Sequence, residues 1–308
     1  MGVKQFEIAI IGGSAAGLSA ALVLGRSRRE VIVIDDGNPR NAQARYSHGV
    51  YTNDGLSPQE LGHIGREQLK PYPVELCTGR VISIRKVADG FTLQLRTGEL
   101  IHATKILLAT GIQDQLPDIP GLREQWGKTI FSCPYCDGWE LNDKHLVVVG
   151  SGKKGFEFTQ LIRQWSKNVT LCTNDGPAPE NNHVDYLQGQ GIPVIGKKII
   201  EIMAGSDNVL TIHFEDGRIC ECQGIFLEPA CSLRSELVEQ LGCRMDDTGK
   251  RLQVDGKGRT TVEGVYAAGD ISALHSQITI AAASGVEAAF TINHDLVEEA
   301  MVPVDDQS

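Results

Sequence analysis

The sequence predicts an α/β protein made of two Rossmann-like, three-layer dinucleotide-binding domains, the second inserted into the first. Three observations carry this. Two strand–turn–helix–strand units, each with a glycine-rich turn, begin at Phe6 and His145. Short strand-like runs follow each unit. A final strand, TTVEGVYAAGD, and a C-terminal helix pattern then read as a return to the first unit.

The chain opens on FEIAII (6–11), a branched apolar strand, followed by GGSAAG, a helix pattern through LSAALVLGRSR and the strand VIVIDD. A glycine-rich turn between strand and helix lets backbone N–H groups approach a pyrophosphate, and the helix N-terminus adds roughly +0.5 of an elementary charge. In Gly12-Gly13-Ser14-Ala15-Ala16-Gly17 the middle glycine of GxGxxG is replaced by Ser14, whose small hydroxyl permits close approach and can donate to phosphate. Asp35 and Asp36 end the next strand, about 20 residues on, where an acid can hold a ribose diol. Residues 74–109 contain the alternating runs VISIRKV, FTLQLRT and ELIHATKILLAT, which predict an antiparallel insertion rejoining the parallel sheet at KILLATG. IQDQLPDIPGL, near 112–121, reads as a linker.

The second unit runs LVVVG, SGKKG, a helix through EFTQLIRQWSK and the strand VTLC. Its loop, Gly150-Ser151-Gly152-Lys153-Lys154-Gly155, matches GxGxxG in full. The strand after it ends Leu171-Cys172-Thr173-Asn174, without an acid for ribose or an arginine for a 2′-phosphate, and Asp175 comes one residue late. A pair of missing Arg–phosphate contacts at roughly 1.5–3 kcal/mol each would weaken NADPH by ~10²–10⁴-fold. Lys153 and Lys154 are the residues able to offset that. The group IIEIM, VLTIHFEDGRICEC and GIFLEP closes the unit, and a second crossing is expected near 242–249. The expected domains are therefore 1–114 with 245–308, and 115–244 inserted between them. The tail VPVDDQS is expected to fray.

The 308 residues are 41% hydrophobic and 22% charged, which suits a globular chain of two domains. A net charge of −10 argues against nucleic acid or an anionic membrane as partner. No leader pattern opens the chain and no apolar run nears the ~18–20 residues of a membrane helix, so a cytoplasmic protein is expected.

FSCPYCDGWE (131–140) sets Cys133 and Cys136 in a CxxC with Asp137 directly behind. Zinc would need a second ligand pair. Cys220-Glu-Cys222 is only CxC, with Cys231 and Cys243 further on, so no metal is expected. A permanent disulfide is out of place in a reducing compartment. A redox dithiol fits the spacing, and Asp137 can protonate a leaving thiolate.

With GGSAAG, LLATG (107–111), CPYCD (133–137), GVYAAGD (264–270) and SQITIAAASG (276–285) in this order, the chain resembles the low-molecular-weight thioredoxin reductase family over nearly its full length. The resemblance implies FAD in the discontinuous domain and a NAD(P)-binding-like inserted domain. Gly12, Ser14, Ala15 and Ala16 would meet its pyrophosphate, and Thr110 and Gly111 would lie near the flavin nucleotide. Gly269 and Asp270 belong to the ribitol end, while Gln277 and Ile278 offer backbone donors to the flavin ring. Asn41 and Val81 are further implied contacts, Val81 near the adenine, and His48 and Asn53 are expected to approach the flavin. Cys136 would face the flavin, Cys133 exchange with substrate, and Asp137 act as acid and base. A homodimer and a thioredoxin-like protein as partner are implied as well.

Members that use NADPH carry a GGGxxA-like loop and an HRRxxxR-like motif, where this chain has GSGKKG and LCTNDGPAPE. Ser276 replaces the Arg usual before Gln277. These departures resemble branches acting on small-molecule dithiols, as in the gliotoxin and holomycin systems, and reductases fed by ferredoxin or another donor. Three expectations result: a thioredoxin-type disulfide reductase with NAD(P)H unassigned as donor, an FAD-dependent oxidase of a small dithiol, and a flavin-bound redox sensor without turnover.

Overall fold

β1 (Lys4–Ile11) lies inside the first sheet because its inner residues, Ile8 to Ile11, are apolar on both faces and buried. The computed structural model describes residues 3–301, so the VPVDDQS tail lies outside the described residues. After β1 come α1 (Ala15–Arg26), β2 (Val31–Asp35), α2 (Pro58–Leu69), β3 (Val74–Thr78), β4 (Val81–Val87), β5 (Gly90–Leu95) and β6 (Leu100–Leu108). The sheet order is β3-β2-β1-β6-β5-β4. Strand alternation sorts its faces: Ile8 and Ile10 pack with α1, while Ala9 and Ile11 pack with β4 and β5.

β6 changes partner along its length. Leu100 to Ala103 pair antiparallel with β5, and Ile106 to Leu108 run parallel to the strand that returns near the end of the chain. One expectation needs correction. Val74–Thr78 is not part of the antiparallel insertion but a parallel edge strand on β2.

The chain then enters β7 (Ile112–Gln115), α3 (Leu122–Gln125), β8 (Ile130–Phe131) and the single turn α4 (Pro134–Asp137). β9 (Leu146–Val149), α5 (Gly152–Ile162), β10 (Val169–Cys172), α6 (Asn181–Gly189) and β11 (Val194–Ile195) form the second unit. β12 (Ile199–Ala204), β13 (Leu210–Phe214) and β14 (Ile219–Cys222) make an antiparallel sheet over one face, and β15 (Gly224–Leu227) returns to the parallel one. The parallel order is β11-β10-β9-β15-β8.

β16 (Ala230–Leu233) pairs antiparallel with β7, so the outgoing and returning chain form one two-stranded ribbon. α7 (Leu237–Leu241), β17 (Val265–Ala267) and α8 (Ile278–Met301) complete the molecule. Leu237, Val238 and Cys243 already pack in the core of the first sheet. The return therefore falls at β16, ahead of the 242–249 stretch expected from sequence, and residues 237–243 sit with the first half. Among the described residues, no helix is long and apolar enough to cross a membrane.

α8 packs along α1 through Gly285, where an added Cβ would lie 2.1 Å from the Ala16 carbonyl oxygen. Gly285→Ala is expected to push α8 off the first turn of α1, lowering stability by about 1–3 kcal/mol. A thermal melt reporting a fall of several degrees in Tm checks this.

Candidate active site

The first glycine loop is held by backbone crowding and one carboxylate. Gly12 has φ +109°, and a Cβ there would stand 2.2 Å from the Ala109 carbonyl oxygen. A Cβ on Gly17 would stand 1.8 Å from the Gly12 carbonyl oxygen. No side chain fits between these strands and α1. Asp35 accepts from the Gly13 N–H at 2.5 Å and from the Gly37 N–H at 2.8 Å, so its carboxylate locks the loop to the end of β2. Ser14, the N-cap of α1, makes no side-chain cap bond, and its hydroxyl stays available.

Beside this loop lies a cavity of about 1810 Å³ of empty space, part of it open to solvent. Gly12, Ser14, Ala15 and Ala16 line it with Asp35, Asp36, Asn41 and His48. So do Val81, Thr110, Gly111, Gly269, Asp270, Gln277 and Ile278, together with Cys133, Cys136 and Asp137. Residues from six separate stretches of chain thus converge, and the dithiol shares the space with the glycine loop. Asn53 is not among these lining residues: its side-chain amide donates to Thr52 Oγ1 at 3.1 Å inside a turn.

Sequence reasoning missed Arg40. Its Nε and Nη2 donate to the two Asp114 oxygens at 3.1 and 2.6 Å, and its Nη1 to Asp270 Oδ2 at 3.0 Å. Burial opposes the charge, but the bonds and the charge of Asp114, then Asp270, outweigh it and hold the guanidinium firmly protonated. The only signal was its place beside Asn41, since both partners are remote in sequence. Arg234 was missed too; it lines the cavity, donates to the Asn38 carbonyl and stands 3.8 Å from Asp36.

The CxxC turn has local causes. Pro134 occupies the first helical position, where its missing N–H costs nothing and its fixed φ suits the helix. Gly138 follows because a Cβ there would meet Trp165 at 2.8 Å, and Trp165 packs edge-on against Tyr135. Both cysteines are free, and Cys136 Sγ donates to Cys133 Sγ at 2.6 Å. That bond, against the opposing effect of burial, lowers the Cys133 thiol, helped by the Cys136 and Tyr135 N–H groups. The same bond and burial push Cys136 up. The thiolate of the pair therefore resides on Cys133. Asp137 is pushed up to about 7 by burial and by Glu140, with His48 opposing. A carboxyl in that range can hold a proton and release it at neutral pH.

The second glycine loop differs. The Gly152 N–H donates to the Pro177 carbonyl at 2.7 Å, and a Cβ on Gly176 would stand 2.7 Å from Ser151 Cβ. The segment after β10 is thus folded onto the loop. Asn174 and Asp175 both have positive φ, and Asn174 Oδ1 accepts the Ile199 N–H, which fixes that segment in place. Lys153 is exposed and pairs with Glu157 at 3.7 Å.

Comparison with known proteins agrees with this geometry. The family model described as "Pyridine nucleotide-disulphide oxidoreductase" matches residues 6–287. Thioredoxin reductase sirT of Leptosphaeria maculans is 30% identical over 306 residues, covering 94% of this chain and 93% of that protein. The crystal structure of a putative thioredoxin reductase TrxB from Bacillus anthracis superposes with a TM-score of 0.91 at 35% identity, covering 96% of this chain and 100% of that one. The oxidoreductase from Agrobacterium tumefaciens gives a TM-score of 0.89 at 32% identity, covering 96% and 99%.

The cavity fits the FAD that this likeness implies. Thr110 Oγ1 is buried without a hydrogen-bond partner, an orphan polar atom facing a polar ligand's place. The Ser14 hydroxyl is uncommitted, and Gly12, Ser14, Ala15 and Ala16 line the cavity at the start of α1. Arg40→Ala would leave the Asp114 and Asp270 carboxylates unpaired beside that ligand. At about 1.5–3 kcal/mol for a lost charged hydrogen bond, FAD affinity is expected to fall ~10–100-fold, measured by flavin fluorescence on dilution.

Proposed function

The chain belongs to the pyridine nucleotide-disulphide oxidoreductase family as a thioredoxin reductase-like FAD enzyme, and from that premise we propose that it reduces a thioredoxin-like protein disulfide through Cys133 and Cys136. The observation that carries this is a free dithiol on the flavin cavity with the acidic thiol at Cys133. FAD, when bound, supplies the two-electron redox centre.

The chain's own residues supply the exchange. The Cys133 thiolate attacks the external disulfide, forming a mixed disulfide, and the sulfur that leaves takes a proton from Asp137. Cys136 then attacks Cys133, its own proton going to the second substrate sulfur. The substrate gains two electrons and two protons, and the enzyme is left with a Cys133–Cys136 disulfide for reduction by flavin. The raised proton affinity of Asp137 suits the first proton transfer, and the depressed proton affinity of Cys133 suits the attack.

The proposal includes a donor other than NADPH, such as reduced ferredoxin. It is supported by the missing arginines and by the Gly152 N–H already engaged by Pro177. The same contact favours a second reading, in which a small dithiol reduces the enzyme through Cys133 and oxygen takes the electrons. Anaerobic mixing with NADPH, NADH and reduced ferredoxin in turn separates these, read as flavin bleaching. Rapid bleaching by micromolar NADPH would overturn the donor assignment, and oxygen uptake on adding dithiols without thioredoxin reduction would select the second reading.

Cys136→Ser is expected to keep FAD bound and to abolish turnover. Normal disulfide turnover by that variant, assayed with thioredoxin, would sink the dithiol mechanism.

A further inference from the structure

Asp137 works beside the dithiol within a wider charge arrangement. His48, on the loop between β2 and α2, places Nε2 3.5 Å from Glu140 Oε1 and Nδ1 3.4 Å from Asp54 Oδ2. Asp54 is fixed in turn by the Gly49 N–H at 2.6 Å. That bond, then His48, holds the Asp54 carboxyl below its ordinary range, so it faces His48 as an anion. Glu140 lies on the short 3-10 turn Trp139–Leu141, directly after the CxxC turn. The imidazole therefore bridges a loop of the first half and the segment carrying the dithiol, and His48 and Asp137 line the same cavity.

We propose that His48, bracketed by Asp54 and Glu140, is a positioning residue for Asp137. The bracket fixes the local charge that decides whether Asp137 carries a proton for the dithiol. This rests on the proposed role of Asp137 as proton donor. The groups bearing on Asp137 are Glu140, which favours its protonated form, and His48, which opposes it. The two thiols feel its charge as well. Tyr46 flanks the imidazole, with ring centroids 6.3 Å apart. The imidazole thus has a carboxylate on each side. Removing either neighbour changes the field at Asp137 in a direction fixed by Coulomb's law.

The test is the pH profile of iodoacetamide alkylation at Cys133, followed by mass spectrometry in anaerobically reduced holoprotein freed of reductant. Ionised Asp137 disfavours the Cys133 thiolate, so the profile should bend near pH 7, and Asp137→Asn should remove the bend. His48→Gln should move the bend up and Glu140→Gln should move it down, each by about 0.5–1 pH unit. Asp54→Asn, which leaves the ring in place and serves if His48→Gln folds poorly, should move it in the same direction as His48→Gln. Shifts of one sign for His48→Gln and Glu140→Gln, or an unmoved bend with lowered Tm, would overturn the proposal. If Asp137→Asn abolishes the bend while the other variants keep the wild-type profile, only the His48 coupling falls. If the bend survives Asp137→Asn, the proton-donor reading falls with it.

Discussion

Two carboxylates, Asp114 and Asp270, face one cavity, and Arg40 between them is what makes that arrangement tolerable. Like charges in a partly desolvated space repel strongly, and a buried charge without a partner is costly. The guanidinium satisfies both with three bonds. It also ties together three distant pieces of chain: the loop after β2, the ribbon strand β7, and the turn after β17. Because β7 pairs with β16, this node sits where the chain both leaves and re-enters the first half. Cys231, on β16, adds a contact at 3.4 Å to Asp114.

The same partial burial gives the dithiol its asymmetry. Two thiols in hydrogen-bond contact share one ionisation, and the pair titrates as a unit. The hydrogen bond from Cys136 places the charge on Cys133, against burial, and the Cys136 and Tyr135 N–H groups add to it. Cys136 is left as donor and stays protonated. Burial strips Asp137 of the water that would favour its carboxylate, and so favours the neutral acid. The α4 turn and its N-cap thus bring two thiols and a carboxyl side by side, and each differs from its free form for a physical reason visible in its neighbours.

Much of this was legible in the sequence because its signals are local. FEIAII and LVVVG are apolar on both faces, which only an interior parallel strand tolerates, and both glycine loops follow such strands. CPYCD is one helical turn that carries its own start and stop residues. Less local features were not legible. VELCT in β3 is mostly exposed and lacks clean alternation, so only its pairing with β2 defines it. β16 and α7 are short and carry no linker composition, whereas GCRMDDTG looks like a crossing and lies within the first half, with Cys243 in its core. Arg40 could not be singled out, since Asp114 is 74 residues away and Asp270 is 230. His48 was singled out, but Glu140, its partner beside the dithiol, carried no signal of its own.

The two glycine loops show why spacing alone is a weak guide to a phosphate site. The second matches GxGxxG in full, and the first has a serine at its middle position. Yet a pyrophosphate is bound by available N–H groups, and availability is decided by what folds over the loop. At the first loop the Gly12 and Gly13 N–H groups are held by Ile34 and Asp35, while Ser14 and Thr110, which line the cavity, keep free hydroxyls. At the second, the Pro177 carbonyl takes the Gly152 N–H, and Gly176 lies against Ser151. Opening it requires breaking that bond, at about 0.5–1.5 kcal/mol, and moving a segment pinned by Asn174 and its positive φ. An arginine-rich strand end would offset such a cost with new bonds to a 2′-phosphate, and Thr173-Asn174-Asp175 offers none. The imperfect motif is the open one.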